Sequence, residues 1–96
     1  MKMVMIVYNE VMDSEMMDAL KCCGLKSYTK TIGVFGSGKA SGTHMGDDVW
    51  PGKNNILQVV CETEETEKLI PIIKDMRAKL GKEGVKAFVM PVEEVT

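Results

Sequence analysis

The sequence predicts an α+β sandwich in which a four-stranded antiparallel sheet carries two helices on one face. Four short segments rich in Val, Ile, Phe and Thr alternate with two segments whose apolar residues recur at helical spacing. The order is βαββαβ, and Gly or Pro marks most of the changes of period. Ninety-six residues suffice for one such pair of layers and leave no room for a second core, so a single domain over residues 1–96 is expected.

Residues 2–8 form an apolar run bounded by Asn9-Glu10, short and Val/Ile-rich as a buried strand should be. A helix is predicted over 13–23. Asp13 is placed to accept hydrogen bonds from its first-turn amides, Met12 and Met17 to staple its entry, and Met16, Leu20 and Cys23 to form its apolar stripe. Gly24 supplies the backbone freedom its terminus needs. Residues 26–35 read as a second strand and 56–61 as a third, joined by a long glycine-rich loop, 36–55, in which no period survives. The second helix places Leu69, Ile70, Ile73, Met76 and Leu80 on one face, with Glu64, Glu65 and Glu67 near its start and Lys79 near its end, the order the helix dipole favours. Pro71 means either that the regular helix begins near it or that the helix bends there, and Gly81 ends it. Residues 85–90 form the last strand, closed by Pro91. Together these elements make the ferredoxin-like, or split βαβ, arrangement, with one sheet face open for a partner or for packing against further copies.

Composition narrows the function. The chain is 45% hydrophobic and 27% charged, and its 12 basic and 14 acidic side chains leave a formal charge of −2, without the basic excess that nucleic-acid binding exploits. No apolar run approaches the roughly 18 residues of a membrane span, so no membrane insertion is expected. The N-terminal Met1-Lys2-Met3-Val4-Met5-Ile6-Val7 lacks the small-residue cleavage site of a signal peptide. Three cysteines, two of them adjacent, make a poor disulfide framework, and a reducing cytoplasm fits. A domain this small also gains from association with copies of itself.

This arrangement of elements hosts many activities, so individual residues must decide. An RNA-recognition module stacks bases on strand aromatics, and the third strand has none. An acylphosphatase-type enzyme needs an arginine after the first strand, where Asn9 to Met12 offer none. A heavy-metal carrier needs two cysteines two residues apart in that same place, and Cys22-Cys23 match neither requirement. Cys23 is more simply a small core residue than half of a redox pair. The methionines of strands and helix stripes (Met3, Met5, Met16, Met76) read as core rather than as soft-metal ligands. His44, with Asp47 and Asp48, offers an imidazole and two carboxylates to a divalent metal, although a single loop histidine is more often merely solvated. Trp50, before Pro51-Gly52, either anchors the loop or presents a hot spot to a partner protein. Gly36, Ser37, Gly38 and Lys39 supply backbone amides and a cation for an anionic ligand without forming a Walker motif. Lys82, Gly84 and Lys86 offer a second basic edge. No nucleophile, base and orienting group can be assembled around the one histidine, so no enzyme activity is expected.

The stretch Gly84-Val85-Lys86-Ala87-Phe88-Val89-Met90-Pro91-Val92-Glu93-Glu94-Val95 resembles the end of the P-II nitrogen-regulator family, where a Gly-Lys-Ile-Phe strand leads into Pro-Val-Glu-Glu-Val. Phe35-Gly36-Ser37-Gly38-Lys39 is similar to that family's Phe-Gly-Arg-Gln-Lys at the base of its long loop. The resemblance implies a PII-like regulatory homotrimer that binds an adenine nucleotide or other small anion between subunits and contacts a target protein through loop 36–55. Gly36 and Lys39 match the loop base, and Gly84 and Lys86 the phosphate edge. Gly38 stands where the family has the glutamine that serves metal and 2-oxoglutarate, the Gly-Asp-Gly-Lys phosphate loop is shortened to Gly84-Val85-Lys86, and the loop has no tyrosine to modify. The chain stops at Thr96, before the family's Arg-Ile-Arg-Thr-Gly segment, as a truncated and divergent member would. The trimeric divalent-cation tolerance (CutA) family is the alternative, and would use the His44 cluster for metal.

Overall fold

The computed structural model describes residues 1–36, 53–80 and 84–96. Its elements run β1 (Lys2–Asn9), a 3-10 turn (Glu10–Met12), α1 (Asp13–Cys22), β2 (Thr29–Phe35), β3 (Lys53–Cys61), α2 (Thr63–Leu80) and β4 (Val85–Pro91). The strands form one antiparallel sheet in the order β2-β3-β1-β4, the ferredoxin-like arrangement expected.

Strand alternation sorts the sheet into two faces. Val4, Ile6 and Tyr8 of β1, Leu57, Val59 and Cys61 of β3 and Val85 of β4 are buried, and they pack with Met16 and Leu20 of α1 and Leu69 and Ile73 of α2. The other face carries, row by row across β3, β1 and β4, Val60–Met3–Met90, then Gln58–Met5–Phe88, then Ile56–Val7–Lys86. Val60 and Phe88 are exposed and Met3, Met5, Val7, Ile56 and Met90 are half-buried, so an apolar surface faces away from the helices. Met16 is core as expected and Met76 packs against it. Met3 and Met5 are not: their odd positions in β1 turn them to the open face.

Helix boundaries follow from local chemistry. Asn9 adopts an extended backbone and its side chain accepts the Val11 amide, capping the 3-10 turn that leads into α1. Asp13 therefore does not cap the first-turn amides as the sequence suggests; its carboxylate turns to the sheet instead. Gly24, at φ +72°, ends α1 with its amide on the Lys21 carbonyl, and the Leu25 amide returns to Leu20. This reversal buries Leu25 and delays β2 to Thr29, three residues later than expected. In α2 the Glu65 carboxylate reaches back to the Glu62 amide, half of a capping box. The helix then continues through the exposed Pro71 to Leu80. Gly81, expected to end it, and the Leu80 side chain lie outside the described residues.

Because Pro71 has no amide to give the Glu67 carbonyl, Pro71→Ala should stabilise the fold. We expect about 1–2 kcal/mol by urea unfolding, part of the roughly 3 kcal/mol a mid-helix proline can cost. An unchanged or lowered midpoint would mean that the helix has adapted fully to the ring.

Candidate functional site

The loop predicted over 36–55 is shorter than expected, because β3 begins at Lys53. Lys53, Asn54 and Asn55 are poor strand formers, but they pair with Phe35 and Val34 of β2 and with Asn9 and Tyr8 of β1, and pairing on both sides outweighs propensity. Gly36 directly follows β2, and a Cβ built on it would lie 3.2 Å from the Asn54 amide nitrogen, so a larger residue would have to displace Asn54. Gly84 accepts the Asn9 amide at 2.9 Å, which fixes the entry to β4 beside the exit of β1. Gly36 and Gly84, from strands at opposite edges of the sheet, thus sit at the same end of it. Lys86 lies two residues into β4, exposed, with its ammonium 5.7 Å from the Phe88 ring centre, and Lys53 is exposed beside Phe35. Ser37, Gly38, Lys39, His44, Asp47, Asp48, Trp50 and Lys82 lie outside the described residues. Among the described residues no group of three or more His, Cys, Asp and Glu side chains is placed to hold a metal ion, and no helix is long and apolar enough to cross a membrane.

A polar cluster that the sequence reading missed stands behind this end. Tyr8, almost wholly buried, donates its hydroxyl to Asp13 Oδ1 at 2.6 Å. Lys30 Nζ lies 2.9 and 3.1 Å from the two carboxylate oxygens, and Asn55 Nδ2 donates to Oδ1 at 3.3 Å. Asn55 Oδ1 in turn accepts the Gly33 amide at 3.4 Å. Gly33, at φ +70°, forms the bulge where β2 slips against β3 between Thr31 and Val34. The bulge leaves Ile32 and Phe35 exposed. The Tyr8 hydroxyl, and next the Lys30 ammonium, hold the Asp13 carboxyl below the usual carboxylate range. Burial, followed by the bond to Asp13, pushes Tyr8 far above an ordinary phenol. The available signal was parity: Lys30 and Asn55 are polar residues at positions that alternation directs inward, with Leu57 and Val59.

Cys23 and Cys61 are buried and Cys22 is exposed, all as free thiols. Burial, followed by the neighbouring thiol of Cys22, pushes Cys23 up, which suits a core residue better than a reactive thiolate.

Comparison with known proteins gives this geometry a context. The family model for nitrogen regulatory protein P-II matches residues 1–96. The chain belongs to the P-II family. No curated protein sequence matches it. Among solved structures, it is similar to CPII from Thiomonas intermedia K12 bound to ADP, AMP and acetate, with 17% identity and a TM-score of 0.72 over 99% of this chain and 88% of that one. The apo form of the same CPII, described as a nitrogen regulatory PII-like protein, aligns at 16% identity and TM-score 0.65, covering 92% and 84% of the two chains. A protein from Thermus thermophilus described as PII-like and signalling aligns at 24% identity and TM-score 0.62, covering 95% and 85%. At these identities the structures attest the shared fold. Membership of the P-II family rests on the match along the whole sequence, and agrees with the tail and loop-base resemblance.

Proposed function

We propose that this chain is a regulatory rather than catalytic protein, a single domain over residues 1–96. It assembles as a homotrimer through the apolar sheet face and senses an adenine nucleotide in clefts between subunits. Gly36, Gly84 and Lys86, joined by Ser37, Gly38 and Lys39, would hold the phosphates, and the segment carrying Trp50 would contact a target protein. The observation that carries this reading is the placement of Gly36 and Gly84 at the same end of the sheet, one at each edge. There the Gly84 carbonyl accepts the Asn9 amide, and the Asn54 side chain stands 3.2 Å from where a Gly36 Cβ would lie. Two exposed lysines flank them along the strands, Lys53 before Asn54 and Lys86 after Gly84. A glycine that leaves backbone amides accessible, next to a cation, suits a phosphate oxygen. Family membership and the ADP and AMP bound to CPII support the choice of ligand.

Thermal-shift titration with ADP, AMP and ATP tests it. A hundredfold excess over the dissociation constant should add about 2.7 kcal/mol of apparent stability, and Lys86→Ala should weaken binding about tenfold while leaving the apo midpoint unchanged. The absence of a shift with all three nucleotides would remove the nucleotide reading.

A further inference from the structure

The two halves of the proposed anion site come from opposite edges of the sheet, yet a continuous chain of hydrogen bonds joins their surroundings within one subunit. Starting at the β4 entry, the Gly84 carbonyl accepts the Asn9 amide. Asn9 Oδ1 accepts the Val11 amide and so caps the 3-10 turn, whose last bond runs from the Asp13 amide to the Glu10 carbonyl. The Asp13 carboxylate takes up Asn55 Nδ2, and Asn55 Oδ1 takes up the Gly33 amide in the bulge, three residues before Gly36. Asn55 is 4% exposed, so each end of its amide needs a protein partner and neither bond is readily replaced by water. Tyr8 and Lys30 fix the carboxylate from two further strands, leaving it little freedom to absorb a displacement by itself.

We propose that Asp13 and Asn55 are positioning residues that couple the β4 entry at Gly84 to the β2 bulge at Gly33. Ligand contact at one edge of the sheet then sets the backbone that presents Gly36 at the other. This regulation rests on the anion-site reading above, but the coupling itself is a property of the free protein. A shorter route also exists, because Asn9 pairs directly with Asn54, whose side-chain nitrogen lies 3.2 Å from where a Gly36 Cβ would be. Asp13 and Asn55 tell the two routes apart: only the first passes through them.

Amide hydrogen exchange in a double-mutant cycle decides between them. In the unliganded protein, Asn9→Ala should speed exchange at residues 33–35 by roughly fivefold or more, a size within the usual range of pairwise couplings. In an Asn55→Ala background the same substitution should add nothing there. Residues 59–61, at the far end of β3, report global opening and should not follow. Asp13→Asn, which keeps the side-chain shape, should behave as Asn55→Ala does. The proposal is overturned if Asn9→Ala has no effect at 33–35, if its effect there is the same in both backgrounds, or if residues 59–61 speed equally. A second arm adds ADP. Protection should reach residues 84–86 and 33–35 in the wild type but only 84–86 in Asn55→Ala, and protection at both segments in the variant would also overturn the coupling. If ADP protects neither segment of the wild type, the nucleotide reading falls, while the cycle in the free protein still decides the coupling.

Discussion

Met5→Glu should convert the proposed trimer into folded monomers. Met5 sits in the middle of the open sheet face, between Gln58 and Phe88 across the strands and between Met3 and Val7 along β1. In a lone subunit that face meets water, so the substitution removes little more than some strand propensity, well under about 1 kcal/mol. Packing the face against other copies instead buries a carboxylate with no cation directly opposite it among the described residues of its own sheet; Lys86, the nearest, lies one row away in register with its ammonium on the Phe88 ring. An unpaired buried charge costs several kcal/mol, and a trimer would contain three of them, so the dissociation constant should rise by orders of magnitude. Light scattering on the eluting peak reads the mass directly, with 10.6 kDa for the monomer against three times that for the trimer. Met5→Leu, similar in volume and apolar, should keep the wild-type mass. A wild type that elutes at 10.6 kDa, or a glutamate variant that keeps the trimer mass, would remove the sheet face from the assembly.

The apolar open face explains both a success and a failure of sequence reading. Short length and Val/Ile content make β1 and β3 legible, and in the structure Val4, Ile6, Leu57 and Val59 alternate with partly exposed neighbours. Alternation with apolar residues on both faces does not reveal which face the helices cover. Met3 and Met5 therefore passed for core, although they lie opposite it. The strand ends failed for a different reason. Residues 53–55 are polar, and only their pairing with both β1 and β2, distant in sequence, makes them strand. Of residues 26–28 only Tyr28 is a strand former, and the chain leaves the buried Leu25 and passes through them before β2 begins at Thr29. The glycines at the sheet end were legible from the family resemblance. The cluster behind them was not, because a capping aspartate and a sheet-anchoring aspartate look identical in sequence. Asn9, four residues earlier, takes over the capping and frees Asp13 for the sheet.

Removing that anchor should be the most damaging single change outside the apolar core. Asp13→Ala leaves the Tyr8 hydroxyl without its acceptor at a residue 1% exposed, and deprives the Asn55 amide of a partner. A buried donor left unpaired costs about 1–3 kcal/mol. The Lys30–Asp13 ion pair, whose side chains are 22% and 38% exposed, is screened by solvent and adds at most about 1 kcal/mol. The expected loss is about 2–4 kcal/mol near neutral pH, a large share of the roughly 5–15 kcal/mol that holds a domain together. Its pH dependence has a definite sign. Asp13 is held below the ordinary carboxylate value, so its contribution is fully present above the unfolded pKa of about 3.9 and disappears as pH falls through the lower folded value. Urea midpoints of wild type and Asp13→Ala should therefore lie far apart near neutrality and converge in acid. Tyr8→Phe in the Asp13→Ala background should recover about 1 kcal/mol or more, because the orphaned hydroxyl goes with its partner. If the gap between wild type and Asp13→Ala stayed constant down to strongly acid pH, the carboxylate would not be the anchor. If Tyr8→Phe recovered nothing, the loss would have to come from the Lys30 and Asn55 contacts instead.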